Sequence, residues 1–191
     1  MNDITPAPGI STSIRDPRWS RAIVYGLLTS LGVALDLWTK EVAFARCGLP
    51  GEHPPTWVIP GFFGFETAVN HGAVFGIGQG YGWVFAIVSI IAMLGIVIWL
   101  FGFRACYSLW LTVALGMVTG GILGNLYDRL GMHGLKAPFV AGVRDWILFR
   151  FGSYTYPNFN IADSLLVVGA IMLAIHSFFF KPPVANPAPK A

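Results

Sequence analysis

Residues 82–103, GWVFAIVSIIAMLGIVIWLFGF, carry no charged side chain. A helix needs about 20 such residues to cross the hydrocarbon core of a bilayer, so this stretch reads as a membrane span. Three further apolar runs stand around it. SLWLTVALGMVTGGILGNLY (108–127) follows after only Arg104–Tyr107 and ends at Asp128. So short a connection makes the two spans antiparallel neighbours. AIVYGLLTSLGVAL (22–35) becomes a full span if Asp36 lies near the helix end, and Ile161–Phe180 forms the last.

The composition agrees with this reading. Charged residues make up 11% of the 191 and hydrophobic residues 55%, against about 25% charged in ordinary globular domains. The expected fold class is an all-α integral membrane protein, with four transmembrane helices in one domain over residues 18–181. Residues 1–17 and the Pro-rich 182–191 read as disordered cytoplasmic tails. The excess of twelve Lys+Arg over nine Asp+Glu forms no basic face or stripe, so no nucleic-acid partner is expected. Cys47 and Cys106 lie on either side of a span and cannot pair.

Arg15, Arg18 and Arg21 before an apolar run, with Ala43-Phe44-Ala45 after it, imitate a cleavable secretory signal. The length of the run favours a retained span. No lipobox-type Leu-Ala-Gly-Cys precedes Cys47, so a lipidation site is not expected there.

Between the spans lie two long polar-aromatic segments. In GLPGEHPPTWVIPGFFGFETAVNHGAVFGIGQGY (48–81), short alternating pieces such as Thr56–Ile59 suggest strands. Residues 129–159 read as a second long loop. Four spans place both termini on one side. Lys and Arg divide equally, six to each side, but Arg15, Arg18, Arg21, Arg104 and Lys181 sit close to span ends. They place the termini in the cytoplasm. All seven acids from Asp36 onward then lie toward the outer side.

That clustering carries the functional argument. Asp36, Asp128 and Asp163 each fall at the outer end of a span, and Asp145 lies in the loop joining two of them. Carboxylates at a membrane boundary are expensive and ask for a reason. Ordinary reasons exist. Asn160 with Asp163 three residues on is a helix-capping arrangement. Asp145 could be an exposed loop acid beside Arg144. Asp36 and Lys40 stand at i, i+4 as a helix ion pair, and Asp128 could close its span by pairing with Arg129. Two close carboxyls, however, share a proton, so one can deprotonate a water while the other protonates a leaving nitrogen. Spacing allows Asp145 with Asp163, and equally Asp128 with Asp163.

Gly120, Gly121 and Gly124 allow another helix to approach closely. Asn125, Asp128 and Arg129 share one helical face, from which Asn125 and Arg129 could hold peptide carbonyls. Asn70-His71-Gly72-Ala73 reads as a turn. The four histidines show no metal-ligand spacing, no HExxH occurs, and Ser153 and Ser164 lie in no nucleophile motif. A proton-coupled transporter using these acids as a relay is the competing class. Its signature, an inverted repeat or paired broken helices, is not visible.

Five blocks in order, DLWTK (36–40), NHGAVFG (70–76), GNLYDR (124–129), RDW (144–146) and FNIAD (159–163), resemble the lipoprotein signal peptidases, or signal peptidase II. The resemblance implies four helices with a small extracytoplasmic β-sheet that cradles the substrate. It implies Asp145 and Asp163 as the catalytic pair. Asp36, Lys40, Asn70, Gly72, Asn125, Asp128, Arg129, Asn160 and Ala162 would bind substrate or support the site. The implied reaction removes the signal peptide from a diacylglyceryl-modified prolipoprotein, just before the lipidated cysteine. No metal or cofactor takes part, and the enzyme works as a monomer among the lipids of a bacterial inner membrane, its site toward the outer face. Three departures stand out: Leu37 where the family usually has Gln, Arg144 where it has an apolar residue, and a longer segment between Asp128 and Asp145.

Overall fold

The computed structural model describes residues 17–72, 80–103 and 105–179. The tails and Ala73–Gly76 of the second family block therefore lie outside the described residues. Among the described residues, four helices are long and apolar enough to cross a membrane. They are α1 (Pro17–Cys47), α2 (Gly82–Val97, continued by a π-helical turn through Gly102), α3 (Leu109–Arg129) and α4 (Ile161–Phe179). Between them stand β1 (Thr56–Ile59), β2 (Phe63–Asn70), β3 (Val143–Phe151) and β4 (Tyr154–Phe159). The strands form one antiparallel sheet in the order β1-β2-β3-β4.

The centre of the bundle is α3, packed against α1, α2 and α4. Its glycines make this possible. A Cβ on Gly121 would lie 2.5 Å from the Ala162 carbonyl oxygen, and Gly120 has the Gly32 Cα of α1 at 3.5 Å from that position. The small-residue face read from the sequence is thus filled by the protein's own α1 and α4. Polar side chains reinforce the packing, as expected where water cannot compete. Tyr25 donates to Thr119 Oγ1 at 2.9 Å, and Trp110 Nε1 donates to the Met172 carbonyl at 2.7 Å. The outward faces are apolar: Ile23, Leu27, Leu31 and Leu35 of α1 form an exposed stripe, and α2 exposes Trp83, Ile87, Ile91 and Leu94. Lipid contact accounts for such faces, which a water-soluble surface would not carry at this extent.

Two expectations need correction. Asp36 does not mark the end of the first helix. The helix continues through it to Cys47, 31 residues in all, or about 46 Å at 1.5 Å per residue. Asp36 and Lys40 are fully buried and their charges are met by α3, so they do not stop the helix. The small β-sheet implied by the family resemblance is present, but the segment 129–159 is not the long loop expected of it. It contains β3 and β4, joined at Gly152, whose φ of +62° suits the tight turn.

The longer connection before β3 is a chain of turns. Gly131 N donates to Asp128 O at 2.9 Å, Phe139 N to Lys136 O at 2.9 Å, and Gly142 N to Phe139 O at 3.4 Å. They return the chain to the end of α3, where Arg144 N donates to Asp128 Oδ2 at 3.0 Å. Cys47 and Cys106 are both free thiols.

Candidate active site

Strand register brings the two aspartates together. On one side of β3, Ala68 of β2 pairs with Asp145; on the other, Ile147 pairs with Phe159 at the end of β4. Antiparallel pairing therefore delivers Asn160 beside Asp145 just as the chain leaves the sheet for α4. There Asn160 caps the helix reciprocally: Asp163 N donates to Asn160 Oδ1 at 2.9 Å, and Asn160 N donates to Asp163 Oδ2 at 3.2 Å. The capping role foreseen for Asp163 is real, and it still leaves carboxylate oxygen for other partners.

Asn160 and Asn125 link the two acids. Asn160 Nδ2 donates to Asp145 Oδ1 at 2.7 Å and to Asn125 Oδ1 at 3.1 Å. Asn125 Nδ2 donates to Asp163 Oδ1 at 2.8 Å. Asp145 is not an exposed loop acid but a strand residue 3% exposed. Burial, then repulsion from Asp163, pushes its carboxyl well above the ordinary value of 3.8, against the opposing pull of Lys40 and the Asn160 hydrogen bond.

Asp145 and Asp163 line one cleft of about 980 Å³, together with Asn70, Asn125 and Arg129. Its walls are apolar, with Phe85, Val88, Ile122, Phe159, Leu166 and Val167 among them. Arg129 Nη2 donates to the Gly72 carbonyl at 2.9 Å, and Gly72 N donates to Asn70 Oδ1 at 2.9 Å, so the turn after β2 is tied to the end of α3. Arg129 Nη1 is buried without a hydrogen-bond acceptor.

Behind the cleft lies a second layer of charge. Lys40 Nζ is 2.7 Å from Asp36 Oδ2 and 3.0 Å from Asp128 Oδ2, and it donates to Asn125 Oδ1 at 3.0 Å. Asp36 Oδ1 accepts from Ala162 N at 2.9 Å. Asp128 does not pair with its neighbour Arg129. Its partner is Arg144, whose Nε and Nη2 both lie 3.0 Å from Asp128 Oδ1. Arg144 Nη1 also reaches Glu41 of α1. Burial lowers the Arg144 pKa, but Asp128 and Glu41 outweigh it and hold the guanidinium above its ordinary value.

All eleven residues singled out in the sequence thus meet in one region, in two layers. Asp145, Asp163, Asn70, Asn125 and Arg129 face the cleft. Asp36, Lys40, Asp128, Asn160 and Ala162 are fully buried, and Gly72 meets the site through Arg129. Arg144 and Glu41 were missed as members of it. Arg144 showed only as a departure, and Glu41 gave no signal, because its partner lies 103 residues away.

The family model described as signal peptidase (SPase) II matches residues 28–179. A lipoprotein signal peptidase of Rhodopirellula baltica is 55% identical over 178 residues, covering 91% of this chain and 79% of that protein. One from Geobacillus thermodenitrificans is 39% identical over 163 residues, covering 85% and 94%. Among solved structures, a bacterial membrane enzyme determined by the in meso method aligns with a TM-score of 0.70 and 30% identity, over 85% of this chain and 94% of that one.

Proposed function

The chain belongs to the signal peptidase II family, and on that premise we propose that it is an aspartic endopeptidase acting on diacylglyceryl-modified prolipoproteins. It cuts before the lipidated cysteine with a water held between Asp145 and Asp163. The observation that carries this reading is the amide bridge: two acids on one cleft, joined through Asn160 and Asn125 rather than through a cation.

In this mechanism one of the two acids is ionised and the other protonated, and Asp145, held above its ordinary value, is the one that keeps a proton more readily. The ionised one takes a proton from the water as its oxygen adds to the scissile carbonyl carbon. The protonated one then gives its proton to the nitrogen as the C–N bond breaks. Carboxamide neighbours suit this cycle, since they hydrogen-bond either protonation state and add no charge. The unpaired Nη1 of Arg129 is a donor for a substrate carbonyl. The apolar walls contributed by α2, α3 and α4 receive the acyl chains and the signal helix.

In this reading the sheet and cleft lie at the outer face of the inner membrane and the termini in the cytoplasm. The enzyme acts as a monomer in contact with membrane lipid and uses no cofactor. The apolar walls and the ordered family blocks support it over the proton-relay alternative.

The test is product release from a purified lipid-modified prolipoprotein, with and without chelator. Wild type should be indifferent to chelator, and Asp145→Asn and Asp163→Asn should both be inactive while still inserting. Turnover retained by both variants would sink the aspartic assignment.

A further inference from the structure

The Arg144 side chain does not line the cleft, yet it is 2% exposed and reaches two acids, donating from Nε to Asp128 and from Nη1 to Glu41. Successive strand residues face opposite ways. Asp145 therefore turns to Asn160 and the cleft, while Arg144 turns to α1 and the end of α3. One residue grips both oxygens of Asp128, the backbone N on Oδ2 and the side chain on Oδ1. Its guanidinium also lies over the Phe44 ring at 5.9 Å. We propose that Arg144 is a positioning residue for the dyad: it balances Asp128 so that Lys40 stays on Asn125, and it fixes the strand that carries Asp145. The inference rests on the aspartic reading given above.

Charge counting supports the first half. Among the described residues, the buried layer holds Asp36 and Asp128 against Lys40 and Arg144, two of each sign. Remove Arg144 and Lys40 alone must serve two buried carboxylates. Breaking one partner from a buried ionic cluster leaves charge uncompensated, which the remaining cation must answer. Lys40 then shifts toward Asp128 and leaves Asn125 Oδ1. That bond matters because it keeps the Asn125 oxygen toward Lys40 and Asn160 and its Nδ2 toward Asp163. The path from Arg144 to Asp163 is therefore Asp128, Lys40 and Asn125, each step 3.0 Å or shorter.

The second half concerns Asp145. The charged groups acting around it are Asp163 of α4, Lys40 of α1, and Asp128 and Arg129 of α3. In the neighbouring β2, Glu66 is occupied by Asn158. Among these, Asp128 repels Asp145, and Arg144 is one of the two cations bound to Asp128, Lys40 being the other. Without Arg144 the surroundings of the dyad are more negative by one charge, so the carboxyl of Asp145 is pushed further upward.

The experiment compares wild type, Arg144→Met and Arg144→Lys as full-length protein in detergent, with kcat and KM measured on lipid-modified prolipoprotein across pH. Arg144→Met should lower kcat at least tenfold with KM within twofold, and move the pH–rate bell upward. Arg144→Lys restores the charge without the fork, so its bell should return to the wild-type position while kcat recovers only in part. If Arg144→Met does not fold, Arg144→Gln takes its place with the same expected shift. A bell that stays put in the uncharged variant overturns the proposal, as does a loss confined to the amount of folded protein. Inactive Asp145→Asn and Asp163→Asn beside wild-type Arg144 variants would refute this inference alone. Active Asp variants would refute the reading beneath it.

Discussion

Two pairs of carboxylates lie close together here, and the fold treats them differently. Asp36 and Asp128 are fully buried and held by Lys40 and Arg144 at 2.7–3.0 Å. Asp145 and Asp163 are held by two carboxamides and open on the cleft. The cations tie the first pair into the bundle, whereas the amides hold the second without adding a charge. The first pair anchors α1, α3 and α4 to one another and to β3; the second is left available for proton transfer. In this account the difference between scaffold and chemistry lies in the partners, not in the acids.

The comparison breaks most visibly through the second pair. Asp145→Asn or Asp163→Asn should lower turnover by about 10³-fold or more, at the upper part of what positioned acid–base groups contribute. Matched amounts of detergent-purified protein and a gel-shift assay on a lipidated substrate would read this. The first pair should fail in stability instead. Lys40→Met leaves Asp36 uncompensated and should cost about 3–5 kcal/mol, read as a large drop in thermal midpoint. A variant of wild-type stability would mean that the layer is not the anchor described.

Packing gives a smaller effect. At Gly121 a Cβ would meet backbone at 2.5 Å, so Gly121→Ala should cost about 1–3 kcal/mol by forcing α4 away from α3. It should lower the thermal midpoint without moving the pH optimum.

The smallest effect has the opposite sign. Asp145 is held well above its ordinary 3.8, so across that window the folded chain binds a proton that the unfolded chain releases. Stability from this group is highest at low pH and declines as pH rises through the raised value. Asp145→Asn should therefore be inactive yet slightly more stable than wild type at neutral pH. Its advantage should vanish as pH approaches 3.8. Thermal melts of both proteins across pH check this, and a variant less stable at pH 7 would contradict the burial argument.

How much of this could be read from the chain varied with the range of the interaction. The four helices were legible because their apolar length has one physical meaning in a bilayer, and the Asn160–Asp163 cap because it is local. The course of α1 past Asp36 was not. Its charges are answered from Asn125 and Asp128, more than 80 residues on, and no local pattern announces a distant counter-ion. The resemblance implied a small sheet, but the residues alone did not show the hairpin of β3 and β4, because VRDWILFRF mixes two arginines into an apolar strand, and one of them, Arg144, is buried against Asp128. Spacing allowed Asp128 and Asp145 equally as partner to Asp163. Only the family resemblance chose Asp145; the folded chain adds that Lys40 and Arg144 occupy Asp128.

The shared proton of the amide-held pair is the central claim, and infrared difference spectroscopy of the carboxyl stretch addresses it most directly. Wild type minus Asp145→Asn at neutral pH, both in the same detergent, should show one protonated carboxyl present in wild type and lost in the variant. A difference spectrum without that band would contradict the account.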